Sequence, residues 1–388
     1  MNKYLSILLI IVIALAVFFL ERDYMFIREF ADTSSAITLS IGVILGTSAI
    51  SVLFSKNKHF KFGLSRRFTI LMIIIYIISL LFAAIHPFVA RNTYFFIILP
   101  LFLYYFPFKV SYEQSNVIII WSMTIVFVLL ALNYFINYSQ NILYDVEKQH
   151  SGSYSVLYIL PFLLCHKRLV LRWLAIAVAF FVIMISLKRG GFIAVVAAVA
   201  VFFLISISMT KGKKIRIGQV IVIIGFAVAI FYLVVYINGI VLGDLLVDRL
   251  NEMEESEGSG RLEIYSRYLN YIGSDDMFHW IFGHGWEGSI RDSGVKVTCH
   301  NDFLEIFIDF GIIGFVAYIF FWLSLIKLCM KMIHDKHDYA PAMGASIAIF
   351  FVNSMVAHIF IYSWYMILFA LFWGFIVTSY YYGQTNQD

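Results

Sequence analysis

The chain has 388 residues, of which 62% are hydrophobic and 13% charged, with a mean hydropathy of +0.87. A soluble domain runs at about 45–50% apolar and 25% charged, so the composition excludes a soluble enzyme, a disordered chain and a nucleic-acid binder built on a basic surface. The formal net charge is only +4, and Cys165, Cys299 and Cys329 stand too far apart for a disulfide framework or zinc-ligand spacing.

Long apolar runs divided by short polar breaks predict an all-α, polytopic membrane protein of about 12 transmembrane helices. The first run, Tyr4–Leu20 after Lys3, exceeds a signal-peptide core and meets Glu21-Arg22-Asp23 without a small-residue cleavage site, so it reads as a retained span. The others fall at about 36–54, 69–85, 93–106, 117–138, 154–165, 169–186, 192–209, 219–237, 306–328, 340–357 and 361–380. The spans holding Pro100 and Pro161 are short, and proline removes a backbone hydrogen bond, so either is a re-entrant alternative to a full crossing.

With the N-terminus in the cytoplasm, the basic clusters share one side: Lys56, Lys58, Lys61, Arg66 and Arg67, then Lys211, Lys213, Lys214 and Arg216. This asymmetry predicts both termini inside. Residues 238–305 then form one long exterior loop that carries much of the chain's acidic charge. Loops of this length tend to carry function. Helical spacing is read over 242–255 and again over 261–272, where Leu262, Tyr265, Leu269 and Ile272 share a face. The chain 1–388 therefore reads as one membrane domain with the 238–305 loop as a subdomain on its outer face.

Three stretches at that face have residues suited to chemistry. Lys188-Arg189-Gly190-Gly191 joins two spans where positive charge is disfavoured. Free N–H groups, glycines and two cations suit a phosphate; the alternative is a tight hairpin whose basic residues reach lipid headgroups. Gly258-Ser259-Gly260-Arg261 opens the second loop helix. There Gly260 permits a concave turn of N–H groups, and the charge of Arg261 opposes the helix dipole unless an anion offsets it. The alternative is pairing with Glu257 or Glu263. Cys299-His300-Asn301-Asp302 enters the tenth span. His300 is a candidate general base, with Asn301 or Asp302 orienting the ring or capping the helix. His86, His279, His284 and His358 are its exterior rivals. Gly283-His284-Gly285-Trp286-Glu287-Gly288 matches a dinucleotide-loop spacing but lacks its strand context, so a tight turn with Trp286 at the interface is expected.

In order along the chain, Ser186-x-x-Arg189-Gly190-Gly191, Ser259-Gly260-Arg261 with Gly283-x-Gly285, and His300-Asn301 before a helix with Gly311 and Gly314 resemble the O-antigen polymerase and O-antigen ligase family of bacterial membrane glycosyltransferases. The resemblance covers about 186–320 and departs from the family's pattern in placing Cys299 before the histidine. It implies a GT-C-like fold in the bacterial cytoplasmic membrane with its active site on the outer face. It also implies an undecaprenyl-diphosphate-linked oligosaccharide as donor and acceptor, no cofactor and no metal ion. His300, Arg189 and Arg261 would be catalytic, with Lys188, Gly190, Gly260, Arg267 and Asn301 binding the diphosphate or substrate. Chain-length regulator and flippase proteins are the partners such an enzyme implies, besides the lipid bilayer; nucleic acid is not. Polymerase and ligase activities remain alternatives, and a polysaccharide or lipid-oligosaccharide transporter is the competing class.

Overall fold

A computed structural model describes residues 63–81, 112–144, 152–186, 188–209, 261–295, 297–357, 359–360 and 363–385. Among these residues all secondary structure is helical. In chain order the helices are α1 Gly63–Leu81, α2 Tyr112–Tyr144, α3 Ser153–Leu164, α4 Leu169–Ile185, α5 Arg189–Met209, α6 Arg261–Ser274, α7 Met277–Phe282, α8 Gly288–Asp292, α9 Asp302–His334, α10 Ala340–Val356 and α11 Ser363–Thr385. The expected spans at 4–20, 36–54, 93–106 and 219–237, and the expected helix at 242–255, lie outside the described residues.

By length and composition, Asn116–Ile136, Gly190–Met209 and Asp302–His334 can cross a membrane. Helix α3 has 12 residues and, at 1.5 Å per residue, reaches about 18 Å, short of a bilayer core of about 30 Å. Its side chains from Ser155 to Leu164 are nevertheless all buried. A helix that is apolar on every side belongs inside a bundle, and α3 packs among α2, α4, α10 and α11. Tyr158 meets Phe369 of α11 at 4.8 Å, and Phe162 meets Phe372 at 5.0 Å.

The α5–α10 pair positions one end of the bundle. Small residues let membrane helices approach closely where the lipid offers no hydrophobic drive. A Cβ added to Gly344 of α10 would lie 2.2 Å from Ile205 of α5, and one added to Gly190 of α5 would lie 2.7 Å from Val356 of α10. The two helices are therefore antiparallel, with Gly190 and Val356 at one end. Aromatic stacking of Trp322 on Phe350 at 4.6 Å joins α9 to α10, and Trp373 Nε1 donates to Ser346 Oγ at 3.1 Å to join α11 to α10.

The tenth expected span differs from a straight helix. Gly311 has φ 61° and ψ −166°, so α9 is an arm, Asp302–Phe310, followed by a long helix from Ile312. The arm packs on the loop helices rather than continuing the span. At the break the carbonyls of Ile308 and Asp309 lose their helical donors. His284 N donates to Ile308 O at 3.0 Å and Gly285 N to Asp309 O at 2.7 Å in their place. The approach requires glycine on both sides. A Cβ on Gly283 would lie 2.4 Å from the Asp309 carbonyl, and one on Gly311 2.3 Å from that of Ile281. The Gly283-x-Gly285 turn is thus the complement of the helix break, and the arm belongs to the loop subdomain.

Two expectations for that subdomain are corrected. Trp286 is 1% exposed and packs against Phe310 at 6.0 Å. It is a core residue, because the glycine crossing draws its turn inward, and it neither sits at an interface nor offers a face to a sugar. In α6 the buried face carries Tyr268 and Ile272, with Ile264, Tyr265 and Tyr271 half-buried. Leu262 and Leu269, expected on that face, are 62% and 59% exposed. The tyrosines displace them because each has a polar tip with a partner in the loop: Tyr268 donates to Val297 O at 2.6 Å, and Tyr271 meets His284 Nδ1 at 3.1 Å.

Candidate functional site

The α4–α5 hairpin, the start of α6 and the entry to α9 meet at the Gly190–Val356 end of the α5–α10 pair. Ser186 closes α4, its hydroxyl donating to Ile183 O at 2.7 Å. The α5 helix then opens at Arg189, with Phe192 N bonded to Lys188 O at 3.0 Å. The backbone alone of Arg189 is described. Gly190 and Gly191 are both buried. Their missing side chains leave room for Val356, Ile183 and Tyr154 against the helix start.

Arg261 is the first residue of α6, as its charge at a helix start anticipates, and it is half-buried. Its expected alternative partner Glu263 is taken: Arg267 Nη2 binds Glu263 Oε1 at 2.6 Å. Glu257 and Gly260 lie outside the described residues. Among the described residues no carboxylate pairs with Arg261. One turn on, the Tyr265 hydroxyl reaches the carbonyls of His300 and Met355, each at 3.4 Å, and ties α6 to the α9 entry and to the end of α10.

His300 has φ 50°. A non-glycine residue in the left-handed region costs about 1–3 kcal/mol and is held there by its surroundings. The turn it makes lets Asn301 cap α9, accepting from Phe303 N at 3.0 Å and Leu304 N at 3.2 Å. The oxygen of Asn301 is thus committed to the helix. Asp302, fully buried, accepts from Ile359 N at 2.9 Å and Phe360 N at 3.2 Å, which pins the entry to the α10–α11 connection. Asp309 caps the α8 turn from the arm, accepting from Ser289 N at 2.7 Å and Glu287 N at 3.1 Å.

The electrostatics put His300 with the cations. Burial, then the charges of Arg261 and Lys188, lower its pKa below the ordinary histidine value. The charges of Lys188 and Arg261, from two separate stretches, thus act on His300 and favour its neutral imidazole, the form a base requires. Cys299 beside it is fully buried, and burial together with the Glu305 carboxylate pushes its thiol far above neutrality. It is no nucleophile.

The rival histidines are engaged elsewhere. His284 lies between Asp275 Oδ1 and the Tyr271 hydroxyl, each at 3.1 Å, and is 7% exposed. His279 binds Asp276 Oδ1 at 2.9 Å and stacks on His284 at 4.3 Å. Both hold the loop together. His86 and His358 lie outside the described residues. Arg267 also stands apart, its side chain 62% exposed and paired along the helix. Such i,i+4 pairs contribute about 0.3–0.5 kcal/mol, so Arg267→Ala is expected to leave the thermal midpoint near wild type.

Sequence reasoning missed Tyr154, the structural use of Tyr265 and the buried Asp309, and it singled out Asp302 as a ring-orienting or capping residue rather than as the clamp on the α10–α11 connection. Tyrosine in an apolar helix has no local signature of function, and a carboxylate that caps another segment is visible only after folding.

Helices apolar enough to cross a bilayer, with a histidine at one end of the bundle under the charge of an arginine and a lysine, define a membrane protein with a polar site. Residues 174–319 match the family model described as O-antigen ligase. This match contains every stretch that carried the resemblance and supports the O-antigen polymerase and ligase family. Comparison with curated proteins finds no match.

Proposed function

We propose that the chain polymerises a bacterial surface polysaccharide of O-antigen or capsule type at the outer face of the cytoplasmic membrane, within a GT-C-like bundle of about 12 crossings. What supports this reading is the family match over residues 174–319, together with the placing of His300 at the entry to α9, where the charges of Arg261 and Lys188 act on it. The donor is a glycan on undecaprenyl diphosphate. His300 takes the proton of an acceptor sugar hydroxyl, and the oxygen forms a bond to the anomeric carbon. The bond from that carbon to the diphosphate breaks, and its electron pair leaves on the phosphate oxygen. Arg261, Lys188 and the free N–H groups at the start of α5 bind the negative charge that grows there. Fixed cations of the chain do this without a metal ion.

The description of the matching family favours a second reading, a ligase that moves the finished glycan to lipid A-core. The two share a donor and differ in acceptor. Purified full-length protein given lipid-linked repeat units is expected to lengthen them. A deletion strain is expected to accumulate single repeat units on the carrier lipid; accumulation of long lipid-linked chains would replace the polymerase by the ligase.

A further inference from the structure

Tyr154 is the second residue of α3, and its ring is fixed by two others: it stacks on Tyr158 at 5.9 Å with planes 15° apart and meets Tyr365 edge-on at 6.3 Å. Tyr158 and Tyr365 are themselves in contact at 5.1 Å. The Tyr154 hydroxyl lies over the start of α5. A Cβ built on Gly190 would be 3.6 Å from that oxygen, and one on Gly191 3.4 Å from the ring edge. The charge of Arg261 acts on it. Among the described residues none hydrogen-bonds to this hydroxyl. Phenylalanine would make every ring contact equally well, so the oxygen is the feature that needs a reason. It is a phenol donor, half-buried, rigid, beside a helix start and under the charge of Arg261.

We infer that the Tyr154 hydroxyl is a substrate contact that donates a hydrogen bond to the diphosphate of the lipid-linked donor, alongside Arg261. This rests on the function proposed above and adds a recognition residue from α3, outside the three stretches that carried the resemblance. A phosphate held by a helix start and an arginine still has acceptor lone pairs on its remaining side. A donor fixed by ring packing meets them without loss of side-chain freedom on binding.

The test measures binding of undecaprenyl diphosphate, which carries no sugar, to the detergent-solubilised full chain, with elongation assayed in parallel. Tyr154→Phe keeps the ring packing. Loss of a hydrogen bond to a charged group is expected to weaken binding by about tenfold or more with an unchanged thermal midpoint, and to raise KM for the donor more than it lowers kcat. A 3-fluorotyrosine at the same position, a stronger donor of nearly the same shape, is expected to bind more tightly than wild type, and unchanged affinity counts against the contact. This arm decides the matter should the phenylalanine variant fold poorly. Wild-type affinity in both variants overturns the assignment while leaving the polymerase reading intact. So does a loss confined to the sugar-bearing donor, which would place the hydroxyl on the glycan. Wild-type protein that neither binds undecaprenyl diphosphate nor elongates overturns the function and this inference together.

Discussion

Replacement of His300 by alanine is expected to lower glycan transfer by about 10²–10⁴-fold, the span of a lost general base, and Arg261→Ala by about 10²–10³-fold, that of a lost charge-stabilising donor. The pH profile distinguishes these roles from a loss of folding. Because burial, Arg261 and Lys188 lower the pKa of His300, the free enzyme keeps a neutral imidazole to a lower pH than an ordinary histidine, which titrates near 6.5. The acidic limb of kcat/KM is therefore expected below that value, with activity rising as pH passes up through it. Removing one cation, as in Lys188→Gln, relieves part of the repulsion of the imidazolium, and the limb moves upward. Bound diphosphate offsets the same cations, so the limb in kcat is expected above the limb in kcat/KM. The donor thus makes the base stronger when a proton has to be taken. Elongation rates of the purified variants against pH test this. An acidic limb that stays in place in Lys188→Gln would remove the cations from the environment of His300. Wild-type elongation by both His300→Ala and Arg261→Ala would dismiss the site.

Gly311→Ala is expected to be the most damaging substitution remote from these cations. A φ of 61° with ψ −166° lies in a region essentially reserved to glycine and disfavours any side chain by about 1–3 kcal/mol. The added Cβ would also meet the Ile281 carbonyl at 2.3 Å and the backbone nitrogen of Phe282 at 2.6 Å. Those atoms belong to main chain rather than to a flexible side-chain end and cannot turn aside. Gly283→Ala meets the reciprocal clash with Asp309 at 2.4 Å. Losses of about 4 kcal/mol or more, the range of exceptional single substitutions, are expected for each. They should appear as poor yield of monodisperse protein and a large fall in thermal midpoint. Gly273→Ala is the internal comparison. No heavy atom lies within 4 Å of a Cβ added there, and it lies within α6, so it is expected to be neutral or mildly stabilising. Equal behaviour of Gly311→Ala and Gly273→Ala would mean that the arm and the turn do not interlock.

The helical class was legible because hydropathy is a local property. The runs read at 169–186 and 340–357 match α4 and α10 within a residue at each end. The start of α6 at Arg261 was legible from the glycines before it and the periodicity after it. The face of α6 was not. Counting apolar residues chose Leu262 and Leu269, which are exposed, because hydrophobicity alone does not weigh the hydrogen-bonding tip of a tyrosine. Arg189, Arg261 and His300 stood out as charged or titratable groups on a face that the basic and acidic residues led the sequence reading to place outside. Tyr154 did not, since its neighbours at Gly190 and Arg261 are distant in the chain.

By itself the amino-acid sequence determined that this protein is a helical membrane protein and which stretches of it could meet an anionic sugar carrier. Those properties depend on composition, period and residue type within a few positions. Tertiary structure alone decided that α9 breaks at Gly311 and that Asp302 and Asp309 are clamps rather than reagents. It also decided that His300, rather than His279 or His284, is the histidine under the field of the cations. Each of these depends on which backbone or charge arrives from elsewhere in the chain, where packing and burial, not local propensity, set the energy.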